Sequence, residues 1–324
     1  MPLMVKTPRN QRTIAKWGTY PQRINLLARQ ETAIQRQISR GGLASYEPAT
    51  QAALFALMQE APVGAAFFDV GAHIGLYSAL INSIFNNKGV QVFAFEPTPA
   101  TAAIGRRLKR YNKLSFEVVE QALAERPGTA TLYVSNIAET SNSLNPSHRR
   151  HAGEVTVEVT TLDAFTARRR VDPTVIKIDV ETNEPQVLAG AFETIARARP
   201  AIVCEILDRR GAEAMAPHLD RLAGLGYRSY PLIDELPWQH LDPREMDRLP
   251  DGHKSRDWMF LPGKMSRRLA RTAADWLEAV AHCDESTNLL VSPGTEPPSG
   301  WNAGHPFPSQ RGRLKVWQGK RNHD

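Results

Sequence analysis

The feature that most constrains this chain is the stretch Phe67-Phe68-Asp69-Val70-Gly71-Ala72-His73-Ile74-Gly75. Its apolar start, continued by Val70, makes a short buried strand. Gly71 permits backbone angles that a side chain forbids and lets a ligand approach the main chain. Gly75 opens a helix whose apolar positions Leu76, Tyr77, Ala79, Leu80, Ile81, Ile84 and Phe85 recur at helical spacing. A strand, a glycine turn and a helix in that order form a nucleotide-type cradle in open α/β folds. The plainer alternative is an ordinary connection that contains two glycines. The dinucleotide signature G-x-G-x-x-G is not met. Here the order is Asp69-x-Gly71-x-His73-x-Gly75, without a middle glycine and with an acid ahead of the turn.

The chain after the turn continues the alternation. Residues 90–95 read as a second strand, closed by Glu96-Pro97. Glu96 therefore stands at the carboxyl end of that strand, on the ligand-binding edge of such a sheet. A carboxylate there can accept both hydroxyl hydrogens of a ribose. A helix over 99–111 and a strand over 116–119 follow. Gln121 and Ala122 come next, then a Pro127-Gly128 turn. Alternating residues over 129–134 and at Val155, Val157, Val159, Leu162 and Phe165 predict an antiparallel addition to the sheet. The polar loop between them, 135–154, has the length of a lid or binding loop.

The second informative stretch is Val175-Ile176-Lys177-Ile178-Asp179-Val180-Glu181-Thr182-Asn183-Glu184. Alternation places Lys177 and Asp179 on one face of a buried strand. Asp179, Glu181 and Glu184 then gather at its carboxyl edge, where burial without partners or a ligand is costly. A structural Lys177 ion pair with a capped helix is the plain alternative. A helix over 184–197, a strand over 201–206, a helix over 212–225 and strands over 227–232 and 257–261 complete the pattern. The expected fold is α/β, Rossmann-like and doubly wound, with a mostly parallel seven-stranded sheet, an antiparallel addition and a helical N-terminal extension. Helices are expected over 21–38 and 48–60, and a basic amphipathic helix over 267–281. Domain boundaries are read as 1–45 for the extension, 46–262 for the main domain and 263–324 for a basic C-terminal extension. The Pro-, Gly- and charge-rich segment 292–324 is expected to be disordered.

Composition narrows the classes. The 324 residues are 42% hydrophobic, enough for a substantial core. Cys204 and Cys283 are the only cysteines, which excludes a disulfide framework and a Cys-based zinc module and suits a cytoplasmic location. No stretch approaches the roughly 20 apolar residues of a membrane span. The net charge of +6 is assigned to clusters in the terminal regions, since aromatics are not interleaved with them as in RNA-binding segments.

Taken together, the motifs resemble the FkbM family of methyltransferases, within the class I S-adenosylmethionine (SAM) group. The resemblance runs from about Phe67 to Glu205. It rests on the glycine turn, Phe95-Glu96-Pro97, Gln121-Ala122-Leu123, Thr161-Leu162-Asp163, the Ile176 to Glu181 stretch with Glu184, Leu188-Ala189-Gly190-Ala191, and Arg199-Pro200 before Glu205. There are two departures. The family usually has Asn where His73 stands, and Gly with a small or aromatic residue where Thr182-Asn183 stand. The resemblance implies methyl transfer from SAM, most often to a hydroxyl of a sugar, glycan or secondary metabolite. It implies that Asp69, Gly71, His73 and Gly75 hold the methionine part, Glu96 the ribose, and Gln121 and Ala122 the adenine. A hydroxyl acceptor needs a general base. Asp179 is the first candidate, with Glu181 and Glu184 next and Lys177 keeping Asp179 ionised or orienting the acceptor. No metal is expected, although Asp179, Glu181 and Glu184 could alternatively bind Mg²⁺. The other rivals are an NAD(P) oxidoreductase, a non-catalytic SAM-binding protein, and a nucleic-acid methyltransferase, which lacks its Asn/Asp-Pro-Pro-aromatic motif here. The expected partner is a small-molecule or glycan acceptor and no nucleic acid.

Overall fold

The computed structural model describes residues 2–28, 31–135, 142–145, 151–249 and 256–290. In chain order the elements begin with β1 (Leu3–Lys6), α1 (Gln11–Trp17), β2 (Arg23–Asn25), α2 (Ala33–Gly41) and α3 (Pro48–Glu60). Next come β3 (Ala66–Val70), α4 (Leu76–Phe85), β4 (Gln91–Phe95), α5 (Pro99–Tyr111), β5 (Glu117–Val119), β6 (Ala122–Leu123), β7 (Gly128–Ser135) and β8 (His151–Thr160). They are followed by α6 (Leu162–Arg169), β9 (Val175–Ile178), α7 (Glu184–Ala189), α8 (Phe192–Ala198) and β10 (Ala201–Glu205). The chain then forms α9 (Arg209–Ala214), α10 (Ala216–Gly224), β11 (Arg228–Pro231), β12 (Asp257–Leu261), α11 (Arg267–Ala281) and β13 (Leu289–Leu290).

The main sheet has seven strands in the order β11-β12-β10-β9-β3-β4-β5. All its pairings are parallel except the two made by β12. The chain winds outward from β3 through β4 to β5, then returns to place β9 on the other side of β3. That reversal opens a crevice at the carboxyl ends of β3 and β9, where open α/β sheets bind ligands. Every residue of β3 is buried, as expected for a central strand covered on both faces. On one face Phe68 packs with Phe93, Phe95 and Phe165, at ring separations of 5.1–5.7 Å. On the other, Phe67 joins the core beneath α3, α4 and the N-terminal strands.

Several boundaries differ from the sequence reading, each for a local reason. Residues 21–38 are not one helix. β2 pairs with β1 through Val5 and Ile24, and α2 begins only after Thr32, whose side chain and Gln35 form a reciprocal capping box. Leu162 and Phe165 belong to a helix, not a strand. Their spacing of three suits α6, which Thr161 caps by accepting from the Ala164 amide at 3.0 Å. The helix expected over 184–197 breaks at Gly190, where a Cβ would lie 2.1 Å from the Ala124 carbonyl oxygen. The next helix divides at Met215, ahead of Pro217 in the first turn of α10. The hairpin β7-β8 does not extend the main sheet. It forms a separate three-stranded sheet with β6. Of the polar loop over 135–154, residues 136–141 and 146–150 lie outside the described residues, as does the tail over 292–324.

The described parts of the two terminal regions pack into the fold. β1 lies between β2 and β13, and Leu3, Val5, Ile24 and Leu26 are buried in the main core. The basic helix α11 packs its apolar face on α3. There Trp276 meets Phe55 and Phe85 at 5.1 and 6.0 Å and donates its ring N–H to Gln59 at 2.7 Å. Replacing Trp276 by Ala should therefore cost about 3–5 kcal/mol of unfolding free energy in urea denaturation, as for any fully buried large aromatic.

Candidate active site

The glycine turn ties three strand ends together. The Gly71 and Ala72 amides both donate to the Phe95 carbonyl, at 3.0 and 2.9 Å. The Asp179 amide donates to the Val70 carbonyl at 2.9 Å. Gly71 has φ +81°, and a Cβ there would sit 1.7 Å from the Asp179 carbonyl oxygen. No other residue fits. The turn thus brings β4, with Glu96, and β9, with Asp179, to one crevice.

A cavity of about 340 Å³ fills that crevice. Gly71, His73, Glu96, Gln121, Ala122, Lys177, Asp179 and Glu181 all line it, so most of the residues singled out in the sequence converge on one space. Glu96 is 7% exposed and holds both ends of its carboxylate fixed. One oxygen accepts from the His73 amide at 3.0 Å, the other from the Thr98 amide at 2.8 Å. The carboxylate keeps acceptor capacity for a ligand hydroxyl. Burial raises the Glu96 carboxyl above its ordinary value, and the Thr98 hydroxyl with the two amides opposes that rise. His73 has φ +50°, a conformation that Asn and His adopt more readily than most residues. This accounts for His standing where the resembling family has Asn.

Asp69, Gly75 and Glu184 are placed differently. Asp69 does not line the cavity: it is buried beneath the turn, where one carboxylate oxygen accepts from the amide and hydroxyl of Ser78 at 3.0 and 2.7 Å. Gly75 starts α4 in a left-handed conformation against Phe116. Glu184 is buried outside the lining and accepts from the Val180 amide at 3.0 Å; burial pushes its carboxyl up to about 7. Asp69 and Glu184 therefore hold the loops that shape the site.

The β9 end of the cavity is electrostatically dense. The Lys177 ammonium is 2.7 Å from Asp179 and 5.0 Å over the Tyr77 ring. In register Lys177 lies between Asp69 and Val203. Burial works against the charge on Lys177, yet Asp179, Glu47, Asp257 and Asp69 around it raise it above its ordinary value. Burial alone would raise Asp179, but Lys177, together with a hydrogen bond from Glu205 and the nearby Arg256, outweighs it and holds the carboxyl below the usual range. Alternation had placed Lys177 and Asp179 on one face, and the ion pair follows from it.

Sequence reasoning missed the opposite wall. Glu205 ends β10 beside β9 and is 9% exposed. Burial, with Asp179 and Asp257 close by, pushes its carboxyl up to about 10. Asp257 is its cross-strand neighbour, and like charges directly opposite disfavour ionisation. Arg256 approaches Glu205 at 3.5 Å. Glu47, Tyr46 and Tyr77 complete this wall. Glu205 carried a signal, its place at the end of a strand beside Asp179. Glu47 carried none, and Tyr77 reads as one more apolar position of α4.

Thr182 takes φ +75°, the conformation that the family's usual glycine there would suit, and Glu181 takes +53°. A β-branched residue in this region is strained by about 1–3 kcal/mol. Two side chains from the β7-β8 connection brace it. The Ser143 hydroxyl donates to the Glu181 carbonyl at 2.6 Å, and the Asn145 amide to the Thr182 hydroxyl at 3.0 Å.

These residues fit a cationic, hydroxyl-bearing nucleoside. Glu96 offers acceptors for a ribose at the β4 end, and the ionised Asp179 faces the same space. The raised Glu205 carboxyl also has a consequence for stability. Between its unfolded value and about 10 the folded state holds a proton that the unfolded state releases. Stability from this group is complete below the carboxylate range and falls as pH rises, by at most ~1.4 kcal/mol per pH unit. Glu205→Gln should flatten that fall, measured by chemical denaturation at about pH 6 and about pH 8.

A family model described as the methyltransferase FkbM domain matches residues 69–229. Among curated proteins none matches. A crystal structure of methyltransferase FkbM from Methylobacillus flagellatus is 17% identical, with 62% of this chain and 44% of that one covered and a TM-score of 0.39. This chain thus spans less than half the length of that protein. An O-methyltransferase from Bacillus cereus in complex with SAH is 10% identical over 66% of this chain and 79% of that one, with a TM-score of 0.36. A rRNA methylase from Clostridium thermocellum, described as putative, is 9% identical over 65% and 93%, with a TM-score of 0.38.

Proposed function

Residues 69–229 are an FkbM methyltransferase domain, of the SAM-dependent kind, and on that footing we propose that the protein methylates a hydroxyl of a sugar, glycan or secondary metabolite. One observation carries the reading. Glu96 and the Lys177–Asp179 pair share one cavity across the switch point, so a ribose acceptor and a candidate base face the same space. When bound, SAM supplies an electrophilic methyl group on a sulfonium that leaves as a neutral thioether. The chain's own task is positioning, which can account for much of the rate.

The turn at Gly71–His73 gives close main-chain approach for the methionine part, Glu96 accepts from the ribose hydroxyls, and Gln121 and Ala122 border the adenine. Asp179 accepts the proton of the attacking hydroxyl as the oxygen–carbon bond forms. Lys177 keeps it ionised beforehand and is fixed by Tyr77. No helix among the described residues is long and apolar enough to cross a membrane.

A second reading, with Mg²⁺ assistance, draws on one fact: oxygens of Asp179, Glu181 and Glu205 lie within 4.8 Å of one another. The metal-free reading is preferred because Lys177 and Arg256 already stand against two of these carboxylates.

S-adenosylhomocysteine should raise the melting temperature, and Glu96→Ala should remove most of that shift. An unchanged shift in the variant would show that the ribose lies elsewhere. Asp179→Asn should retain the shift but lose turnover by about 10²–10⁴-fold, the usual worth of a general base. Near-normal turnover would end the base assignment, and full wild-type activity in EDTA would remove the metal-assisted reading.

A further inference from the structure

A second cavity, of about 410 Å³, lies at the other end of α3 from the active site. The N-cap of α3, Glu47, lines the first cavity, while its last residues, Gln59 and Glu60, line the second. A helix of 13 residues separates the two by about 20 Å. The remaining described walls are Arg12 and Lys16 from α1 and Arg268, Arg271 and Thr272 from α11. None of these residues lines the first cavity. Two of the basic clusters that the sequence carries in its terminal regions therefore meet in one concave space. They do so because α11 packs on α3, where Trp276 touches Phe55.

What the lining offers a ligand is mostly donors, because its acceptors are already engaged. One Glu60 oxygen accepts from the Thr272 hydroxyl at 2.9 Å, and the other meets the Arg268 guanidinium. Gln59 accepts through its single carbonyl oxygen from both the Thr13 hydroxyl and the Trp276 ring N–H, at 2.6 and 2.7 Å. Both lone pairs of that oxygen are used, so the side chain has its amide N–H groups left to give. Arg12 is steadied from outside the lining by Asp275 at 2.9 Å. The Lys16 ammonium sits 4.8 Å over the Trp17 ring, and the buried Lys88 ammonium 5.3 Å over the same ring. Positive charge is thus gathered from two helices and from beneath. It also stands where the backbone disfavours it. Arg267, Arg268 and Arg271 occupy the start of α11, whose first turn holds no acid, although the positive end of a helix dipole repels cations. A sequence breaks such a local rule most often at a functional site.

We propose that this groove is a second binding site, which takes the phosphate groups of a soluble small molecule, a diphosphate above all. Three of its four lining cations are arginines, whose planar forks match phosphate oxygens two at a time. The volume is that of a small-molecule site. An RNA backbone or an anionic membrane is met by cations spread along an open face, whereas these four converge on one hollow. The proposal does not depend on the methyltransferase reading.

The test is titration calorimetry of the full chain with inorganic pyrophosphate at about 0.15 M salt, where diffuse surface attraction is largely screened. One-to-one binding with a Kd of about 1 mM or tighter is expected. Lys16→Gln combined with Arg271→Gln alters two exposed side chains, so the melting temperature should stay at its unmodified value while binding weakens by about tenfold or more. Arg110→Gln combined with Arg210→Gln removes the same charge from exposed positions outside the groove and should leave binding within about twofold. No binding by the unmodified chain, unaltered binding in the groove variant, or equal weakening in both double variants would each overturn the proposal. Vesicles of phosphatidylcholine with phosphatidylserine and a single-stranded oligoribonucleotide are offered in parallel, and capture of neither is expected. Capture of either one that the groove variant abolishes and pyrophosphate does not displace would give the groove to a macromolecular partner and overturn the proposal as well.

Discussion

The close approach of Gly71 to the Asp179 main chain is the constraint on which the site depends. At that point β3 has no room for a side chain, since even a Cβ would overlap the Asp179 carbonyl oxygen. The contact sets how β3 and β9 end relative to each other. The two amides that follow, Gly71 and Ala72, fasten the same turn to the end of β4. Three strands are thereby held in one stagger, and the residues just beyond them, His73, Glu96 and Asp179, inherit their positions. The glycine serves packing first. Access for a ligand follows because a turn this tight exposes main chain at the cavity.

Electrostatics supply the second layer. A lysine and several carboxylates are buried where their desolvation is expensive, and breaking such a pair typically costs about 3–5 kcal/mol. Lys177 is tolerated because Asp179 is in contact with it while Asp69, Glu47 and Asp257 lie near enough to raise it. One cation cannot satisfy them all. Asp179 takes its charge and stays ionised, whereas Glu205 and Glu47 are displaced upward, to about 10 and about 8. Groups of one chemical type are thus separated into an ionised carboxylate and protonated neighbours by position alone.

Much of this was legible in the sequence where a pattern has a short period. The strand of Phe67 to Val70, the helix from Leu76, and the shared face of Lys177 and Asp179 follow from alternation and spacing, and the structure has them as read. The site acids were harder to sort. Asp69 and Glu184 look like ligand carboxylates by position, but Asp69 holds Ser78 in the first turn of α4 and Glu184 the Val180 amide of the loop after β9. Likewise Asp163, part of a family-like motif, accepts from the Glu193 and Thr194 amides at the start of α8. Whether a carboxylate meets a ligand or a backbone amide depends on rotamer and neighbouring loop, neither of which has a signature in spacing.

What was not legible is the contribution of distant chain. Glu47 lies ahead of α3 in a segment that looks peripheral, and Arg256 directly precedes β12. Their approach to Asp179 depends on α3 packing under β9 and β10 and on β12 inserting antiparallel beside β10. Such contacts arise from global topology, so no local window reports them. The consequence is a division of labour along the chain. The part with recognisable motifs builds the cradle and the ion pair, features that cofactor geometry restricts narrowly. The parts without motifs close the remaining wall of the same cavity.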